Sequence, residues 1–202
     1  MSEGRINRQV FIWCKTHNSP WANELCSIFK EMDMVYVFRN NLCCNIRQAK
    51  DTLLQNFEKS WLETIVSKPK LRTYIQIKQK FGCEPYVMCH LSRSQRSLVA
   101  QIRAGILPLA IEVGRFHNVP EEQRLCELCD LIEVENELHF ILHCTKYDEL
   151  RQVMFSHASK INPDFFWYPD YLKVEWLFSF DIFGCANFIS RAWQIRQASL
   201  FN

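Results

Sequence analysis

Cys126-Glu-Leu-Cys129-Asp-Leu-Ile-Glu-Val-Glu-Asn-Glu-Leu-His139-Phe-Ile-Leu-His143-Cys144 reads C-x2-C-x9-H-x4-C, with a spare histidine just before the last cysteine. Nowhere else in the chain do soft ligands sit at metal-binding spacing. Zinc takes four ligands in a tetrahedron, mostly thiolate sulfur and imidazole nitrogen. A C-x2-C turn brings two sulfurs to one ion, and a later histidine and cysteine close the other half. The competing reading is a set of ordinary buried cysteines in a reducing compartment. Two ligand sets fit the pattern. In one, zinc takes Cys126, Cys129, His139 and Cys144; in the other, His143 replaces Cys144. His139 and His143 are four apart and would share a face of an α-helix. That arrangement echoes half of a C2H2 finger, but only nine residues separate Cys129 from His139, too few for the hairpin of such a finger. The three-cysteine set also gives the ion one more thiolate, and we favour it. Four strong protein ligands leave no open position for water, so the expected zinc is structural, not catalytic.

Between the outer ligands lie five acids (Glu127, Asp130, Glu133, Glu135 and Glu137) and no lysine or arginine. A stretch of that sign grips phosphate poorly. Phosphate contacts, if made, are expected on the arginines before it, Arg93, Arg96, Arg103, Arg115 and Arg124. The run from Lys59 to Lys80 is the other candidate. It holds six lysines and arginines, among them Lys68, Lys70 and Arg72, against the single acid Glu63. A solvated helix face is the plainer account of that run.

Outward from the ligands, apolar residues recur at helical spacing. Residues 1–18 read as a mixed lead-in. Ser19-Pro20 starts a helix carrying Trp21, Leu25, Ile28, Phe29 and Met32, because serine caps and proline suits the first helical position. Val35 to Phe38 reads as helix or irregular chain. A long amphipathic helix is expected over 45–66 and is broken by Lys68-Pro69. A short helix then runs to a stop at Gly82, and 84–91 is a connector. Ser92 or Ser94 opens a helix with Leu98, Val99, Ile102, Ile106 and Leu107 on its core face, ended or bent by Pro108. Residues 114–120 form a loop. Further helices are expected over 146–157 and 181–200, with an aromatic cluster from Phe165 to Tyr171 that belongs to the core and not to a base-stacking platform. The fold class is therefore mainly α, with one structural zinc site and little or no sheet. The expected division is an N-terminal helical region, 19–91, and a zinc-binding helical region, 92–202.

With 48% hydrophobic and 13% aromatic residues, a sizeable core can be built. The net charge of +2 is too small to demand a polyanionic partner, though charge can be local. No apolar run reaches the roughly 18 residues of a membrane span, so no membrane partner is expected. The first residues do not lead into a secretory apolar core, and the ten cysteines lack a dense disulfide framework. An intracellular site, nuclear or cytoplasmic, is expected, not secretion. Cys89-His90 and His143-Cys144 are adjacent pairs, but sequence neighbours seldom present a nucleophile and base correctly, and no third orienting residue is evident.

The run LVAQIRAGILPLAIEVG over 98–114, followed by GRFH and then RLCELCDLIEVENELHFILHCTKYDELR over 124–151, resembles the zinc-binding region near the C-terminus of reverse transcriptases from non-LTR, LINE-like retrotransposons. That family has a C-x2-C pair, an acidic stretch, an H-F-x-L-x-C segment and a Tyr-x-x-x-Arg helix. Here His139-Phe140, Leu142, Cys144, Tyr147 and Arg151 stand in those places. The resemblance implies Cys144 as the fourth ligand and a role in holding template RNA or target DNA. Weaker similarity extends through KPKLRTY, FGCEPYV and ANFISRAWQIR. The departures bear on activity. The chain has no Asp-Asp pair for polymerase metals and no endonuclease-like cluster, and Thr145 stands where proline often follows the last cysteine. The expectation is a zinc-stabilised module that binds RNA or DNA and is not an enzyme. The alternative is a protein-interaction module, or a decayed retroelement fragment, with a purely structural zinc.

Overall fold

The computed structural model describes residues 3–78 and 80–201. Among them, helices and helical turns dominate, and the only β pairing is an isolated antiparallel bridge between Leu125 and Val134. The mainly α class expected from periodicity is the one observed. The chain divides into two compact units, Met1–Thr64 and Ile65–Asn202. The division therefore falls between Thr64 and Ile65, where the sequence placed it between 91 and 92. The segment after Ile65 packs with the C-terminal helices, and no change of composition marks that.

In the first unit, α1 (Glu3–Thr16), α2 (Pro20–Glu31) and α3 (Val35–Arg39) surround a small core of Ala22, Met32, Val37 and Phe38. The expected lead-in is thus a helix from Glu3, and its first two residues lie outside those described. Ser19 caps α2 by accepting from the Ala22 amide at 3.3 Å. Each helix end is turned by a short polar residue in the left-handed region: Asn18 (φ 50°), Asp33 (φ 55°) and Asn41 (φ 53°). Lys15 Nζ donates to the carbonyls of Phe38 and Arg39, both at 2.7 Å, placing a cation on the carbonyl end of α3. The long helix α4 (Ile46–Val66) follows, within a residue of expectation.

The second unit holds the larger core. Its helices are α5 (Arg72–Ile77), α6 (Pro85–Met88), α7 (Arg93–Arg103), α8 (Ala110–Phe116), α9 (Asp148–Ile161), α10 (Asp170–Phe180) and α11 (Ile182–Phe201). α11 packs on α7, α9 and α10. Small residues on its inner face, Cys185, Ala186 and Ala192, are buried and let its neighbours approach closely. Ser92 and Gln95 form a reciprocal capping box at the start of α7. The helix stops at Arg103, not at Pro108, because Gly105 turns the chain at φ 63°. A Cβ there would lie 2.3 Å from the Lys70 carbonyl oxygen, so only glycine fits. Three other expectations shift. The short helix ends at Ile77 and not Gly82, 84–91 contains the turn α6, and α8 precedes the loop at 117–120. Of the aromatic cluster, Phe165 is buried between Phe155 and Trp176, whereas Phe166 and Tyr171 are exposed and Trp167 is 87% exposed. No described helix is long and apolar enough to cross a membrane.

Candidate metal centre

The chain enters the site through a pinched loop. Arg124 donates to the carbonyls of Val119 (2.9 Å) and Ile111 (3.0 Å), fixing the approach. The Cys126 amide then bonds the Glu133 carbonyl, and the Glu135 amide bonds the Arg124 carbonyl, each at 2.9 Å. This short antiparallel pairing doubles the chain back, with Ile132 at φ 53° in the turn. Cys126 and Cys129 project from the loop it closes. Asn136 begins the helical segment, its side chain accepting from the His139 amide at 2.9 Å.

From His139 to His143 the backbone forms a π turn, closed by the Cys144 amide on the His139 carbonyl at 2.8 Å. A π turn bonds residues five apart, where an α-helix bonds residues four apart. It joins His139 directly to Cys144 and sends His143 elsewhere. His143 is exposed and pairs with Asp170 at 2.8 Å. The ligand atoms of Cys126, Cys129, His139 and Cys144 all lie within 4.8 Å of one another, a cluster able to hold a metal ion. Cys126 Sγ is 3.8 Å from Cys144 Sγ, and Cys129 Sγ is 3.4 Å from His139 Nε2. His139 is buried, and its other ring nitrogen, Nδ1, sits 2.9 Å from the Glu133 carboxylate. A carboxylate on Nδ1 fixes the tautomer that leaves Nε2 free to ligate.

The protons in the cluster are shared unequally. The hydrogen bond with Cys144 pushes the Cys126 thiol down to about 3, and the same contact pushes Cys144 up. Burial works against a charged His139, but its contacts with Cys126 and Glu133 outweigh burial and raise its pKa. Without a cation the Cys126–Cys144 pair thus keeps one shared proton, held on the Cys144 side; a bound cation takes its place.

The acids of the loop are not a free negative strip. Glu135 is buried and forms a two-pronged pair with Arg196 of α11 at 2.8 and 2.7 Å, and it also accepts from the Ala110 amide at 2.7 Å. Glu137 is buried too, with Arg72 at 3.0 and 2.8 Å and the Thr73 hydroxyl at 3.0 Å. With Glu133 on His139, three of the acids are structural, and Glu127 and Asp130 remain exposed.

The cations nominated for phosphate contact are redistributed by the fold. Arg103 is 4% exposed, paired with Glu84 and ringed by Tyr74, Tyr86 and Phe178 at 6.0, 5.4 and 5.5 Å. Arg96 donates to the carbonyls of Cys89 (3.1 Å) and Leu91 (3.4 Å). Arg72 is held by Glu137, and Lys70 and Arg115 converge on Glu112 at 2.7 and 2.9 Å. Arg103 is thus a core residue, corrected from surface contact by its burial, and Arg96 and Arg72 are tied to the scaffold. Lys68 and Arg93 are exposed. Sequence reasoning missed Glu133, Asn136 and Arg151 as supports of the ligands. Asn136 carried a readable signal, as a capping residue ahead of an apolar run, and Arg151 stood in the Tyr-x-x-x-Arg segment without its role being evident.

No family model, no curated protein and no solved structure matches the chain.

Proposed function

We propose that Cys126, Cys129, His139 and Cys144 hold a structural zinc ion, and that the chain is a non-catalytic module that binds RNA or DNA. The observation that carries the zinc assignment is the spacing of the ligand atoms. Zn–S bonds of about 2.3 Å and a Zn–N bond of about 2.0–2.1 Å set the edges of a tetrahedron at roughly 3.8 Å for S···S and 3.5 Å for S···N. The observed 3.8 and 3.4 Å agree with those edges. Three soft sulfurs and an imidazole select zinc over hard cations such as magnesium or calcium. Bound zinc supplies no chemistry here beyond cross-linking the loop to the π turn, since every position is taken by protein. Metal content per chain tests this. One zinc is expected in wild type, and C126S or C144S abolishes it while C185S does not.

The nucleic-acid reading rests on the resemblance of 98–151 to the C-terminal region of LINE-like reverse transcriptases. Lys68 and Arg93 remain as exposed contacts, with Lys70 and Arg115 only partly committed to Glu112. Binding of the zinc-loaded protein to structured RNA and to duplex DNA across a salt series tests it. Each phosphate contact on duplex steepens log K against log salt by about 0.9, so a K68A/R93A protein should lose up to about 1.8 in slope. Binding that ignores salt, or none at all, overturns the reading. A second reading, a protein-interaction module, is favoured by the exposure of Phe166, Trp167 (87%) and Tyr171 at the start of α10 and in the turn before it, and of Phe180 (72%) at its far end. Its signature is the reverse: a W167A/F180A protein retains nucleic-acid binding but loses a protein partner.

A further inference from the structure

A π turn is held less well by its own backbone than an α turn, so its geometry needs support from outside. In this protein the support comes from α9. Arg151 is 5% exposed, and its guanidinium lies beneath the turn. Its Nε donates to the Ile141 carbonyl at 2.9 Å, and one terminal nitrogen donates to the Cys144 carbonyl at 2.7 Å. The other terminal nitrogen pairs with Asp148. A planar guanidinium presents these donors at fixed angles, so it sets the separation of the two carbonyls it bridges.

Cys144 is therefore clamped on both sides. Its amide is bound to the His139 carbonyl and its carbonyl to Arg151. With φ −55° and ψ 115° so held, the direction of its Cα–Cβ bond is set, and the sulfur it carries lies 3.8 Å from Cys126 Sγ. Charge adds a second effect. Three thiolates and one neutral imidazole around a divalent ion leave the cluster at net −1. Burying that charge is costly unless a cation lies close by. Arg151, bonded to the backbone of a ligand, is such a cation, and burial has not removed its partners.

We infer that Arg151 is a positioning residue for the metal centre: it locks the π turn that pairs His139 with Cys144, and it offsets the charge of the loaded cluster. This inference rests on the zinc reading and adds a residue that touches no metal. It predicts slower metal release than an unclamped cluster would show. In R151Q both the fork and the charge are lost. In R151K the charge stays, but all donors sit on one rotating nitrogen, so the fixed fork that meets the Ile141 and Cys144 carbonyls and Asp148 together is lost.

The test is zinc release from full-length protein to a chromophoric chelator, with Co2+-loaded protein read in parallel by thiolate-to-metal charge-transfer absorption. R151Q should release zinc about 10–100-fold faster than wild type, the range for supports just outside a metal's ligands. R151K should fall between the two. The Co2+ charge-transfer band should weaken in R151Q as Cys144 drifts. M154A, a buried change on the same helix that leaves the bonds from Arg151 to both carbonyls in place, controls for loss of stability and should speed release less than R151K does. If R151Q does not fold, R151K decides alone. Release from R151K at the wild-type rate, or M154A releasing as fast as R151K, overturns the role of Arg151 while leaving zinc in place. Wild-type protein that binds no zinc overturns the zinc reading, and this inference with it.

Discussion

His143 and Cys144 are neighbours with opposite fates. Cys144 is buried against Cys126, and His143 sits in solvent beside Asp170. The choice between them was open to spacing alone, since an α-helix would have favoured His143. The π turn decides it, and nothing in the local composition announces a π turn. H143A is accordingly expected to keep full metal content and to change stability by no more than about 0.5 kcal/mol, as exposed sites usually do. A chelator titration in which H143A loses its metal and C144S retains it would reverse the assignment. Gly105 is a second residue whose identity is forced. Alanine there meets a positive φ and a carbonyl oxygen at 2.3 Å. G105A should lower the urea midpoint by the equivalent of about 2 kcal/mol or more. An unchanged midpoint would mean that the Lys70 backbone can move aside. Glu112 gives a pH signature. Its hydrogen bond with Arg115, aided by Lys70 and opposed by burial, holds its carboxyl below the ordinary range. A depressed carboxylate contributes stability that is present above its unfolded pKa and lost as pH falls through the folded one. The stability gap between wild type and E112Q should therefore be largest near neutrality and shrink on acidification. A gap that stays constant into acid would mean that the carboxylate charge contributes nothing.

The metal loop has almost no regular structure, so its position depends on side chains at its base. Glu135 reaches α11 through Arg196, Glu137 reaches α5 through Arg72, and Arg124 holds the approach. In sequence these acids read as one negative patch, because charge counting cannot tell which carboxylate faces inward. The pairing partners lie 61 and 65 residues away, beyond any local pattern. Helices were the legible elements for the opposite reason: caps and periodicity are local. Ser92 and Gln95, or Ser19 and Pro20, determine their helix starts within one turn. α7 ends before Gly105, where the chain turns at positive φ close against Lys70, and not at the expected Pro108; that contact too is distant in sequence. R196M removes one partner of a buried pair and should cost about 3–5 kcal/mol by leaving Glu135 charged and uncompensated. R196M/E135L should recover much of that loss in thermal or urea unfolding. A double variant no more stable than R196M would show that Glu135 is needed for its bond to the Ala110 amide and not for the ion pair.

At the scale of the whole chain, two units of unequal core share one sequence without a linker rich in glycine or serine to mark the boundary. The boundary lies within α4, whose helical periodicity runs on unbroken through Thr64 and Ile65. Periodicity was bound to miss it, because a division of this kind is defined by which contacts the side chains make. The candidate ligands lie within the second unit: Cys126 and Cys144 belong to the same buried cluster as Phe140, Tyr147, Met154 and Phe188. A structural metal couples its binding energy to the folding of the unit that contains it. Chelation of the whole chain should then strip hydrogen-exchange protection from α7, α9 and α11 together, since α7 and α9 both pack on α11. The amides of α2 and α3 report a separate core of Ala22, Met32, Val37 and Phe38, and they should keep their protection. Equal loss throughout would mean that the first unit cannot stay folded without the second. Loss confined to 126–144 would mean that the second unit's core stands without its metal, and that the ion orders only the loop it binds.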